Sequence, residues 1–201
     1  MRAAGSGVGR APTASFRRSR TGRLDRARVP LFTLNSLENS AGNTGDASGD
    51  SYSSIENLIG SGFADTLTGD SGANRIDGGS GDDIIVGGAG SDTVSYLFES
   101  TGVTVDLEDS SRNAGAALGD VLSLVENLTG NSNSDVLRGD NNANRLEGQD
   151  GNDILEGRGG ADQLLGWNGL DTASYASAGA GVTADLANAA INTGEAAGDT
   201  Y

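Results

Sequence analysis

The chain has no cysteine, no histidine and no lysine, and its 201 residues include one tryptophan and two prolines. Without cysteine there is no disulfide to hold it together. Without histidine there is no histidine-dependent triad, no HExxH zinc site and no histidine general base. Aromatics make up 4% of the residues, so a core built on large rings is excluded. No apolar run approaches the length of a membrane span. What is abundant is glycine, 33 residues, and acid, 28 residues against 13 basic ones, all arginine.

Charge divides the chain. Residues 1–30 hold eight arginines and a single acid, Asp25, whereas the remainder holds five arginines and 27 acids. The basic segment is poor in apolar residues and reads as a disordered arm or as spurious upstream translation. It is not assigned to nucleic acid. Arg17 and Arg18 stand as in a twin-arginine export signal, but no adequate apolar stretch comes after them. In the acidic remainder, stacked carboxylates repel one another in any compact state, and divalent cations would relieve that repulsion.

Glycine and aspartate recur with a period of nine. Gly78 to Val86 reads GGSGDDIIV and Gly87 to Ser95 reads GGAGSDTVS; units upstream in the same phase start at Gly69 and Gly60. A second block has units starting at Gly130, Gly139, Gly148, Gly157 and Gly166. The sixth position holds Asp65, Asn74, Asp83 and Asp92, then Asp135, Asn144, Asp153, Asp162 and Asp171. Calcium takes about six to eight oxygens, from carboxylates and carbonyls together. Glycines permit the positive φ of a tight turn that gathers carbonyls at one point. The eighth position is apolar throughout, from Leu67 to Ala173, between mixed neighbours. One inward residue between two outward ones is a very short strand, and it buries its side chain only by stacking on other units.

In this motif the chain resembles the RTX, haemolysin-type calcium-binding repeat family. The resemblance implies an all-β parallel β-roll, or β-solenoid, with Ca2+ between equivalent turns of successive coils. Each unit then pairs with the next but one: Asp65 with Asp83, Asn74 with Asp92, Asp135 with Asp153, Asn144 with Asp162, and Asp153 with Asp171. The implied metal-site residues are Asp65; Gly78, Gly79, Gly81 and Asp83; Gly87, Gly88, Gly90 and Asp92; Asp135; Gly148, Gly151 and Asp153; Gly157, Gly159, Gly160 and Asp162; and Gly169 and Asp171. Asparagine pairs lose a charge and are expected to bind weakly or not at all. Asn131, Asn133 and Asn142 stand where the motif has glycine, and Asp70 and Asp140 occupy second positions. The strongest sites are therefore expected between Gly78 and Asp92 and between Gly148 and Asp171.

A longer repeat overlies the short one. DSYSSIENLIG from Asp50 aligns with DVLSLVENLTG from Asp120 at an offset of 70, whereas GVTVDL from Gly102 aligns with GVTADL from Gly181 at 79. The second copy has gained one nonapeptide, an insertion expected to preserve stacking. The expected divisions are 1–30, the basic arm; 31–59, a partial repeat; 60–95, the first block; 96–129, connecting solenoid strands; 130–174, the second block; and 175–201, a further partial repeat. GDTY at Gly198 matches GDSY at Gly49, so the chain reads as a fragment of a longer repetitive protein. Function is read as calcium binding that drives folding of a secreted, bacterial, non-catalytic module outside the cell. Type I secretion machinery is the partner implied by the family. The alternatives are a calcium-stiffened adhesin spacer and the carboxy-terminal module of a secreted enzyme.

Overall fold

The computed structural model describes residues 33–37 and 43–201; the basic arm expected over 1–30 lies outside them. The strands begin with β1 (Thr33–Ser36), β2 (Asn57–Ser61), β3 (Asp65–Thr68), β4 (Arg75–Gly79), β5 (Ile84–Val86) and β6 (Thr93–Ser95). The middle of the chain adds β7 (Val103–Asp106), β8 (Ala114–Gly115), β9 (Val121–Ser123) and β10 (Asn127–Thr129). The second block forms β11 (Val136–Arg138), β12 (Arg145–Gly151), β13 (Ile154–Glu156), β14 (Gln163–Gly169) and β15 (Thr172–Ala173).

Consecutive units alternate between sheets. One sheet runs β2-β4-β6-β10-β12-β14 through both blocks; the other units fall into β1-β3-β5-β9 and β8-β7-β11-β13-β15. Every pairing is parallel except β7 with β8. Two nonapeptides thus complete one coil, and the architecture is an all-β parallel β-solenoid. The eighth-position residues stack in files: Ile76 pairs with Val94, Leu128 with Leu146 and Leu146 with Leu164 on one side, Leu67 with Ile85 and Leu137 with Leu155 on the other. These side chains are all buried and form one continuous core. Position eight points inward because successive side chains of a pleated strand face opposite ways, which turns the middle residue of three toward the core.

The connecting segment does more than add a coil. After β6 the chain lays down β7, turns through a short 3-10 segment (Ser110–Arg112) and β8, and then places β9 on β5. Only afterwards do β10 pair with β6 and β11 with β7. The second copy uses the same local bonds. Asn113 Oδ1 accepts from the Asp106 amide as Asn192 Oδ1 does from Asp185, at 2.9 and 2.7 Å. Yet its return strand lands elsewhere. Val121 pairs with Ile84 in a short sheet, whereas its counterpart Thr200 bridges to Gln163 in the six-stranded one. The extra nonapeptide is half a coil, so it keeps the stacking phase but moves the downstream segment to the opposite face.

Candidate functional site

At each turn the sixth-position side chain of one coil receives the backbone of the coil before it. The amides of Asp65, Asn74 and Asp135 donate to Oδ1 of Asp83, Asp92 and Asp153 at 2.8, 2.8 and 2.9 Å. The amides of Asn144 and Asp153 donate likewise to Asp162 and Asp171 at 2.9 and 3.1 Å. All five pairs implied by the sequence are therefore brought together, each 18 residues apart.

The second oxygen of these side chains separates the turns into two geometries. In the units from Gly60, Gly69, Gly130 and Gly139, the second-position amide closes onto the sixth-position side chain. Ser61 and Asn131 donate to Oδ2 of Asp65 and Asp135 at 2.6 and 2.7 Å, and Asp70 and Asp140 to Oδ1 of Asn74 and Asn144 at 2.8 Å. These turns are closed. In the units from Gly78, Gly87, Gly148, Gly157 and Gly166, the second residue is left-handed: Gly79 (φ 81°), Gly88 (116°), Gln149 (81°), Arg158 (69°) and Trp167 (71°). The fourth residue also has positive φ there, at Gly81, Gly90, Gly151, Gly160 and Gly169. The Gly79 amide turns away from Asp83 and bonds Asp77 Oδ1 at 3.1 Å. Oδ2 of Asp83, Asp92, Asp153 and Asp162 is fully buried with no hydrogen-bond donor. These turns are open.

First-position glycines have a different reason from the positive φ expected of them. A Cβ on Gly78, Gly148 or Gly157 would strike Oδ2 of Asp83, Asp153 or Asp162, so glycine is needed there for close approach. The fourth position is where backbone conformation demands glycine: Gly151 has φ 139°, and a Cβ there would lie 2.5 Å from the Asn133 carbonyl oxygen. Gly159, expected at the site, has no left-handed φ; a Cβ there would stand 3.0 Å from Asn141 Oδ1. Trp167 is 65% exposed, consistent with a residue on the rim of a turn.

Burial of carboxylates without donors raises their pKa values. Desolvation pushes Asp83 and Asp162 up to about 7, reinforced by the nearby charges of Asp120 and Asp199 respectively. Asp153 rises to about 6 by burial and the charges of Asp135 and Asp171. Asp92 is also raised by burial. Buried anionic oxygens lacking donors are expensive unless a cation or proton satisfies them.

Several residues that continue the carboxylate files are not singled out by the nonapeptide pattern. Asp83 and Asp162 amides donate to Oδ1 of Asp120 and Asp199 at 2.9 and 3.0 Å, and the Asp92 amide to Glu126 Oε2 at 2.8 Å. Here Oδ2 is not orphaned: Tyr96 and Tyr175 hydroxyls donate to Asp120 and Asp199 at 2.9 and 2.7 Å. The repeated GD dipeptides at Gly119 and Gly198 and the recurring tyrosines are the signals that could have found them. The asparagines too have a positive role. Asn144 Nδ2 donates to the Glu126 carbonyl at 2.9 Å and Asn74 Nδ2 to that of Glu56 at 3.3 Å, bonds that an aspartate could not make.

Among the described residues no three acidic side chains converge on one point. What the turns offer instead is carboxylate oxygen on stacked coils, a donor type that suits a hard ion. Fold and turns together define an all-β parallel β-solenoid whose turns carry buried carboxylates. The family model for the RTX calcium-binding nonapeptide repeat (4 copies) matches at residues 59–94, 129–164 and 138–173, and these stretches carry repeats of this family. Repeats of this kind bind Ca2+. Curated proteins give no match to the chain.

Proposed function

We propose that this chain is a calcium-folded module whose ions occupy the open turns of Gly78 to Asp92 and Gly148 to Asp171. The observation that carries the reading is the set of four buried Oδ2 atoms without donors, on Asp83, Asp92, Asp153 and Asp162. Each lies in a unit whose second residue is left-handed, and no sixth-position side chain of a closed turn is orphaned in this way. A fifth such oxygen, Asp77 Oδ2, ends the closed unit 69–77 and borders the open turn, where Asp77 Oδ1 accepts from the Gly79 amide. The first-, second- and fourth-position glycines of these units serve the ions by allowing close approach and by aiming carbonyls. In the closed turns a backbone amide stands in for the cation, so Asp65 and Asp135 act as stacking partners.

Calcium then completes the fold. Without it, four buried carboxylates oppose stacking in a chain that has no disulfide and much glycine entropy to overcome. Millimolar extracellular calcium suits such sites, whose dissociation constants fall at about 10⁻⁴ to 10⁻³ M. Low calcium inside the cell would leave the chain unfolded for export, and we place its working form outside the cell. No helix among the described residues is long and apolar enough to cross a membrane.

The test is a calcium titration of the chain followed by far-ultraviolet circular dichroism, with magnesium as control. The expected result is a cooperative coil-to-β transition in the sub-millimolar to millimolar range with calcium alone. A β spectrum unchanged by chelator would overturn the proposal.

A further inference from the structure

Arg158 departs from the glycine of the motif's second position, and its side chain runs out of the calcium turn into the connecting segment. Its Nη1 and Nη2 donate to Oδ1 and Oδ2 of Asp106 at 2.9 and 2.6 Å, a two-pronged ion pair spanning 52 residues. Nη1 also reaches the Gly139 carbonyl at 2.5 Å and stands 3.4 Å from Glu108 Oε2. Both partners are withdrawn from solvent, Asp106 fully and Arg158 to 8% exposure. Asp106 is held further by the amides of Glu108 and Asp109 and by Arg112. Burial is the largest influence and works against its charge, but Arg158 together with the Asp109 and Glu108 amides keeps the carboxyl below the usual range.

Two features make this contact more than a surface tie. First, Arg158 has φ 69°, a left-handed conformation that L side chains resist. Second, that same conformation opens the turn in which Asp162 Oδ2 is left without a donor. The backbone geometry of a calcium turn and the docking of β7 are thereby held by one guanidinium.

We propose that Arg158 is a positioning residue that couples the 157–162 calcium turn to the connecting segment through Asp106. The ion pair holds the turn open before the ion arrives, and calcium in that turn in turn fixes β7 against β11. Binding in the second block and ordering of the connector are then linked reciprocally. Calcium binding in the open turns, as proposed above, is presupposed.

Backbone strain and coupling predict opposite signs for Arg158→Gly. Glycine occurs naturally at the second position in Gly79 and Gly88, so the variant has a turn that folds. If strain alone matters, glycine should bind calcium more tightly. If Arg158 is the coupler, the full chain with Arg158→Gly should need about fivefold more calcium at half-saturation by isothermal titration. Asp106→Asn should do the same, and the double variant should be no worse than either alone. Hydrogen exchange at the Val103–Asp106 amides supplies a second readout: calcium should slow it in the original chain and not in Arg158→Gly. Equal or tighter binding by Arg158→Gly, or unchanged calcium protection of β7, would overturn the coupling. Absence of calcium binding by the unaltered chain would instead sink the calcium reading itself.

Discussion

Closed and open turns share one nonapeptide pattern, yet they treat the same carboxylate in opposite ways. In the closed turns of 60–77 and 130–147 the second-position amide points at the sixth side chain and satisfies it. In the open turns of 78–95 and 148–174 that residue swings into the left-handed region, and in four of these five units a buried oxygen is left without a donor. Each block thus begins with units whose sixth side chain is satisfied by backbone and continues with units that, on the proposed function, take a cation. A solenoid unit draws its stability from its neighbours, so the closed turns can serve as a platform on which the ion-dependent ones assemble.

The sharpest way to break the contrast is at the fourth position. Gly151→Ala in an open turn would force a side chain to φ 139° and against the Asn133 carbonyl. A loss of about 3 kcal/mol is expected. Asn142→Ala, at the same position of a closed turn, removes an exposed side chain bonded to Asp140 and should cost well under about 1 kcal/mol. Urea unfolding in saturating calcium measures both.

Replacing the carboxylate itself should reverse sign with conditions. In calcium, Asp153→Asn should lose one ion's worth of binding and destabilise by about 2 kcal/mol. In chelator at pH 8 the same change removes a buried charge whose Oδ2 has no donor, while an amide oxygen can still accept from Asp135, and should stabilise by about 1 kcal/mol. Asp135→Asn, in a closed turn, puts an amide where the Asn131 or Val103 amide needs an acceptor. It should destabilise under both conditions, and stability curves with and without calcium tell the two cases apart.

Much of this arrangement is legible in the sequence, because repetition is a signal that survives ignorance of geometry. The period of nine and the apolar eighth position lead to two units per coil, and the family resemblance adds the stacked pairs. The division into open and closed turns is not legible by composition alone. Glycine at 79 and 88 hints at a left-handed second residue, but Gln149, Arg158 and Trp167 adopt it without that hint; all five such units share a positive-φ glycine at the fourth position. The asparagines look like weakened ligands in sequence. Only the structure reveals a carbonyl 18 residues earlier waiting for an amide donor. Asp120 and Asp199 fall outside the period of nine and are marked only by the longer repeat; each joins its file by a contact 37 residues away.

Acidity sharpens the comparison further. Folded-state pKa values of about 7 for Asp83 and Asp162 and about 6 for Asp120 and Asp153 stand above the ordinary carboxylate value of about 4. A raised pKa contributes stability that is complete below the unfolded value and lost as pH climbs through the folded one. The metal-free chain should therefore hold more β structure at pH 5 than at pH 8, with the loss centred between pH 6 and 7. Calcium competes with the same protons, so its midpoint concentration should fall as pH rises over that window. Circular dichroism against pH, with and without chelator, checks both slopes. Asp83→Asn with Asp162→Asn should flatten the metal-free slope.

The smallest effect lies at the second position, where the two geometries part. Gln149→Gly relieves a left-handed side chain whose own contact is one long bond to Glu147 Oε2 at 3.3 Å. A gain of about 1 kcal/mol is expected, with calcium affinity kept or improved. Asn131→Gly moves the other way. Asn131 is fully buried; its side chain accepts from the Asn133 amide at 2.8 Å and donates to the Thr101 carbonyl at 2.8 Å, bonds that fix the closed turn to the connector. Glycine would surrender both and free the Asn131 amide to leave Asp135, for a loss of about 1–2 kcal/mol without calcium. If that turn then opens, isothermal titration should count one ion more than in the original chain. An unchanged count would mean that the second residue alone does not open a turn, and that the left-handed fourth-position glycine must accompany it.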